Sequence, residues 1–141
     1  MPTTEATKLI SWSDRYSVHV AEIDKQHQNL IDLLNELHSA MLAGKGAAAL
    51  GKTLDGLAHY TVTHFAAEER LMRKHVYPQY QEHKDAHDKL VAQVKELQEQ
   101  FRSGKAVVSQ EVISFLQRWL IGHIMGMDKK YSAHLNAAGV M

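Results

Sequence analysis

The chain has 141 residues, 45% of them hydrophobic, with 16 basic and 16 acidic side chains and no formal net charge. That length suits one domain with a substantial core, and the charge balance gives no electrostatic case for nucleic acid or an anionic membrane surface. There is no cysteine, which excludes disulfides, thiolate metal sites and iron–sulfur clusters.

The first residues, Met1 to Lys8, lack a basic region followed by an apolar run, and no stretch approaches the ~20 apolar residues needed to span a bilayer. A cytoplasmic protein without membrane insertion is expected. Two features stand out: ten histidines and only two prolines. With few β-branched runs, the composition predicts an all-α chain.

Residues 1–20 read as an extended N-terminal arm. Trp12, Tyr16, Val18 and Val20 put apolar groups at even positions, but no partner strand is evident. A first helix is predicted over 22–43, with the stripe Ile23, His27, Leu30, Leu34, Leu37, Met41, and a stop at Gly44-Lys-Gly46. A second runs over 47–75, with the stripe Leu50, Leu54, Leu57, Thr61, His64, Glu68, Leu71, and Pro78 just beyond its end. A third spans 79–101 with His83, His87, Leu90, Val94, Leu97, Phe101. A fourth spans 109–135 from a Ser109 N-cap, with Val112, Leu116, Trp119, His123 and Met127. The tail from Asn136 is expected to fray. Four amphipathic helices with short connections predict an up-down-up-down four-helix bundle in a single domain, 1–141.

In each helix a position suited to leucine holds histidine or glutamate instead. Buried polar groups without partners cost a few kcal/mol each, so such a set in one core must bind something. Distances along the chain show that they meet. His27 and His64 lie nearly equally far from a turn near residue 45, Glu68 and His87 from one near 77, and His87 and His123 from one near 105. Antiparallel helices rise equally at ~1.5 Å per residue, so these residues share one height. Pairs four apart, His64/Glu68 and His83/His87, also share a helix face. Asp128 is the exception: five residues after His123, it lies about 140° round a regular helix. Gly122 and Gly126 flank this region, and a π-bulge or kink is predicted there to turn Asp128 inward. Imidazole nitrogen and carboxylate oxygen suit borderline first-row metals, and bundle cores are where such sites are built. Zinc is disfavoured, because it takes about four ligands and seven converge here.

The run Trp12-Ser-Asp-Arg-Tyr16-Ser-Val18-His-Val20-Ala-Glu-Ile-Asp24-Lys-Gln-His27, followed in order by His64-Phe65-x-x-Glu68, His83-x-x-x-His87 and His123-x-x-x-x-Asp128, resembles the hemerythrin family, and within it the single-domain bacteriohemerythrins. The resemblance covers essentially the whole chain. It implies a hemerythrin-like bundle holding two non-haem iron ions, ferrous or ferric, joined by an oxo or hydroxo bridge. His83, His87 and His123 would hold one iron and His27 and His64 the other, with Glu68 and Asp128 bridging. The iron with fewer protein ligands would keep a position open for O2.

The implied function is reversible O2 binding for storage, delivery or sensing, without catalysis. The partners would be O2 and an O2-consuming enzyme that receives it. The alternative is a di-iron enzyme, a peroxidase, oxidase or nitric-oxide-handling catalyst, using the same ligands. Leu30, Phe65 and Leu120 are expected to wall the O2 pocket. Trp12 and Trp119 are read as core, Asp24 as a first-turn residue favoured by the helix dipole, and Glu69 as the outward neighbour of Glu68. His19, His38, His59, His75 and His134 are read as structural or surface residues, with His75 nearest the site. The apolar stripes are fully used within one bundle, which predicts a monomer.

Overall fold

A computed structural model describes residues 9–104 and 110–141. Among the described residues there are helices and no strand. A 3-10 turn at Asp14–Tyr16 precedes α1 (Ala21–Leu42), α2 (Gly46–Lys74), α3 (Tyr80–Arg102), α4 (Gln110–His123), a π turn (Ile124–Asp128) and α5 (Lys129–Ala137). The segments α4, π turn and α5 follow one another without a break, so the bundle has four rods. The boundaries depart from the sequence reading by one or two residues, and α5 runs past 135. The predicted Ser109 cap and arm residues 1–8 lie outside the described residues.

The apolar stripes meet in one main core. Leu30, Leu34 and Leu37 of α1 face Leu50, Leu54 and Leu57 of α2, with Val94 and Leu97 of α3 and Ile113, Leu116 and Leu120 of α4 completing it. A second, smaller cluster lies at the other end of the bundle and joins Val18, Val20, Ile23, Met72, Tyr77, Tyr131 and Leu135.

The arm is tied across two rods. The Asn35 amide pairs with both the N–H and the C=O of Ile10, at 2.9 and 2.8 Å. The Asp24 carboxylate accepts from the Val18 N–H at 2.8 Å and the Ser17 hydroxyl at 2.6 Å. On the other side, Lys129, Ser132 and Asn136 donate to the carbonyls of Arg15, Val18 and His19. Asp24 therefore fastens the arm, a more specific role than the helix-dipole placement read from the sequence.

The tail corrects the expectation of fraying. The Ala21 N–H donates to the Met141 carbonyl at 3.0 Å, and Val140 packs on the smaller apolar cluster. The first N–H groups of a helix have no intrahelical acceptor, and the returning tail supplies one.

Two helix ends use the same closing geometry with different residues. After α1, Gly44 takes φ 76°. After α2, the Tyr77 N–H reaches the Met72 carbonyl and the Val76 N–H reaches that of Arg73, with Val76 in the left-handed region at φ 53°. A β-branched residue is strained there. Val76 is 79% exposed, so its side chain contributes little packing. Val76→Gly should raise stability by about 1 kcal/mol, read from the denaturation midpoint; an unchanged or lower midpoint would show that the valine is unstrained.

Candidate metal centre

Seven polar side chains form a buried layer between the two apolar clusters. His27 and Asp128 are fully buried, Glu68, His83 and His87 are 1% exposed and His64 3%, while His123 is half-buried. Helical period places most of them. His64 and Glu68 lie one turn apart on α2, and His83 and His87 one turn apart on α3. Asp128 arrives through the π turn at Ile124–Asp128, whose wider turn puts residues five apart on one side. His123 Nε2 and Asp128 Oδ1 then lie 2.9 Å apart. The predicted distortion is present. A Cβ at Gly122 or Gly126 would meet nothing within 4 Å, so neither glycine is there to relieve crowding.

The two carboxylates straddle the layer. Asp128 directs Oδ2 at His27 Nε2, 3.0 Å away, and Oδ1 at His83 Nε2 and His123 Nε2, at 2.8 and 2.9 Å. Glu68 Oε1 lies 3.1 Å from His64 Nε2 and 3.3 Å from His87 Nε2. The donor atoms thus fall into two groups, each with its atoms within 4.8 Å of one another. One is Glu68, His83, His87, His123 and Asp128; the other is His27, His64, Glu68 and Asp128. Glu68 and Asp128 belong to both.

These residues fit a pair of cations. The Nε2 atoms of His27, His87 and His123, with Glu68 Oε1 and Asp128 Oδ2, are buried without a hydrogen bond, despite the short distances. They approach one another without hydrogen-bond alignment, as ligand atoms do when they converge on a common ion. Each such buried polar atom costs ~1–3 kcal/mol if left unsatisfied.

A supporting ring lies outside. Gln26 Oε1 meets His64 Nδ1 at 2.6 Å, and Glu69 Oε2 meets His87 Nδ1 at 2.8 Å. Tyr131 donates to Glu68 Oε2. Glu69, the outward neighbour in the sequence reading, therefore orients a layer imidazole. Tyr131 and Gln26 were missed. Their only sequence signals were position: Tyr131 is one turn after Asp128, and Gln26 adjoins His27. His75 stands apart from both groups, its carbonyl accepting from His134 Nε2 at 2.6 Å.

At His64, His123, Glu68 and Asp128 burial opposes charge, but the facing partners outweigh it. Burial disfavours the imidazolium of His64, yet Glu68 holds it above its ordinary value of 6.5. His123 is likewise disfavoured by burial and raised by Asp128. Glu68 and Asp128 are pushed up by burial and driven well below the carboxylate range by His64 and His123 respectively. Tyr131 is raised well above 10.0, by burial first and then by Glu68, so it remains a donor.

Fold and site together define a helical-bundle protein with a buried histidine–carboxylate cluster suited to cations. Comparison with known proteins makes this specific. Residues 18–135 match the hemerythrin HHE cation binding domain, and the chain belongs to the hemerythrin family. It is 38% identical to a bacteriohemerythrin of Methylococcus capsulatus, over 92% of this chain and 98% of that one. It is 38% identical to one of Stenotrophomonas maltophilia, over 91% and 85%. A crystal structure of wild-type hemerythrin superposes with a TM-score of 0.81 at 38% identity, covering 90% of this chain and 98% of that one.

A cation needs neutral imidazoles and ionised carboxylates. Without a cation, the raised values of His64 and His123 give a stabilising contribution that is full below pH 6.5 and lost as pH rises through those raised values. Cation binding should therefore release protons and tighten as pH rises through that window. Calorimetric titration with ferrous iron in buffers of different ionisation enthalpy reads this directly; buffer-independent heats would contradict it. In the same titration, Glu69→Gln should weaken binding by about 10–100-fold, and an unchanged affinity would show that Glu69 does not tune His87.

Proposed function

We propose that this protein binds O2 reversibly at a non-haem di-iron centre, as a carrier or store that hands O2 to a consuming enzyme, and that it is not itself an enzyme. The observation that carries this is the sharing of Glu68 and Asp128 between two unequal imidazole sets beside a small, largely apolar cavity. The set of His83, His87 and His123 would hold one iron, that of His27 and His64 the other, with both carboxylates and an oxo or hydroxo group bridging them. Two iron ions there would each supply one electron to O2.

The chain's own residues do the rest. His27 and His64 provide one imidazole fewer than the other set, and both line the cavity, with His123 and Asp128. Leu30, Phe65, Leu120, Trp119 and Ile124 form its apolar wall. This lining excludes water from the position that O2 would occupy. The volume open to a water-sized molecule is about 10 Å³, at the lower limit for holding one small molecule. So small a space excludes a bulky organic substrate and suits a ligand of two or three atoms. Tyr131 fixes Glu68 from behind, so that Oε1 stays directed into the layer.

Absorption spectra of the reduced, iron-loaded protein exposed to air and then swept with argon test the reading. A band that forms and disappears reversibly supports it; irreversible bleaching with consumption of reductant would favour an enzyme. Leu120→Ala should open the cavity to water and speed autoxidation about tenfold, equivalent to ~1.4 kcal/mol of barrier. Unchanged O2 release and autoxidation rates would remove Leu120 from the pocket's function.

A further inference from the structure

The cavity beside the layer is lined mostly by buried side chains, with Leu90 and His123 half-buried, and the seams between rods are the ways in from solvent. Three of the four seams are closed, each differently. Between α2 and α3, the Phe65 ring stacks on His87, centroids 3.9 Å apart and planes within 4°, and it also contacts the rings of His64 and His123. Turning Phe65 aside would break its packing on three imidazoles of the layer. The hollow outside it, rimmed by Val62 and Val91, therefore ends against a clamped ring. Between α3 and α4, Trp119 Nε1 donates to the Leu90 carbonyl at 3.1 Å, latching the two rods where they border the cavity. Between α1 and the fourth rod, the arm runs along the bundle past the layer, held to Asn35 and Asp24 on α1 and to Lys129, Ser132 and Asn136 on α5, with Trp12 and Tyr16 packed on the main core.

The seam between α1 and α2 differs. It opens on a vestibule with about 50 Å³ accessible to water-sized molecules, lined by Gln26, Asn29, Leu30, Tyr60, Thr63 and His64. Asn29, Tyr60 and Thr63 are exposed, so its mouth is at the surface. Leu30 and His64 line both the vestibule and the inner cavity. His64 is held from two sides, by Gln26 at 2.6 Å and Glu68 at 3.1 Å. Leu30 is held by apolar packing alone, and a leucine changes rotamer without breaking a hydrogen bond. The route past it arrives beside His64, in the imidazole set with fewer ligands.

We propose that small neutral diatomics and small linear anions reach the metal centre through the α1/α2 seam, from this polar vestibule past Leu30 as the gate. The proposal rests on the O2-binding reading for its physiological ligand, but the route can be measured without it. A gate lies on the path in and the path out, so obstructing it slows association and dissociation together and leaves the equilibrium constant unchanged.

Thr63→Phe fills the vestibule mouth, and Val62→Phe, its neighbour, fills the hollow on the α2/α3 side; both positions are exposed and tolerant of substitution. Stopped-flow mixing of the di-iron protein with azide should show Thr63→Phe slowing association and dissociation about tenfold each, with unchanged Kd. Val62→Phe should change neither rate, and Leu30→Ala should speed association. Equal slowing by both phenylalanines, slowing by neither, or a changed Kd in Thr63→Phe would overturn the route. A second readout avoids iron chemistry: O2 quenching of Trp119 fluorescence in the zinc-loaded Trp12→Phe protein. Thr63→Phe should lower the quenching rate constant and Val62→Phe should not. Loss of reversible O2 binding in wild type with this quenching pattern intact would refute the functional reading and leave the route standing. An unaffected quenching constant in Thr63→Phe would refute the route.

Discussion

The structure depends on mutual compensation within one buried polar layer. Glu68 and Asp128 are carboxylates with almost no exposure, and a lone ionised carboxylate in such a place would shift to its neutral form. Five imidazoles surround them, and the charges and unsatisfied nitrogens balance only because four rods deliver them to one height. A bundle with leucine in these positions would gain stability, because buried ionic networks recover their desolvation cost poorly. The layer therefore marks a place where stability is given up for binding.

That layer also explains the division of the apolar interior. The main core occupies one side and the cluster of Val18, Ile23, Met72, Tyr77, Tyr131 and Leu135 the other. The smaller cluster is more than filler. It seats Tyr131, whose hydroxyl reaches back to Glu68, and it is covered by the arm and the returning tail. Anchoring of the chain ends and orientation of a central carboxylate are thus parts of one arrangement. The larger core does the corresponding work on the other face, where Leu30, Trp119 and Leu120 meet His27, His64 and His123 around the cavity. The two faces have different chemistry, a hydrogen-bonded support on one and an apolar wall on the other.

Helix number, helix order and the common height of the polar residues were legible in the sequence. They follow from short-range rules: a 3.6-residue period, a fixed rise per residue, and short turns that force antiparallel neighbours. The inward turn of Asp128 was legible too, because its five-residue spacing from His123 conflicts with a regular helix. The π turn at Ile124–Asp128 brings Asp128 beside His123 as that conflict required.

What the sequence by itself determined is the bundle and the residue types that its polar layer gathers, because periodicity and loop length constrain both. What only the tertiary structure decided is how those residues are held and reached. Asp128 divides its two oxygens between the two imidazole sets, Gln26 and Glu69 take the outer nitrogens of His64 and His87, and Tyr131 restrains Glu68. The tail docks on the start of α1, and the α1/α2 seam opens on a vestibule while Phe65 stacks on His87 between α2 and α3. Such pairings join residues up to 120 positions apart, and each depends on rotamer and rod rotation. No local pattern along the chain encodes these, because they are settled only when all the rods pack at once.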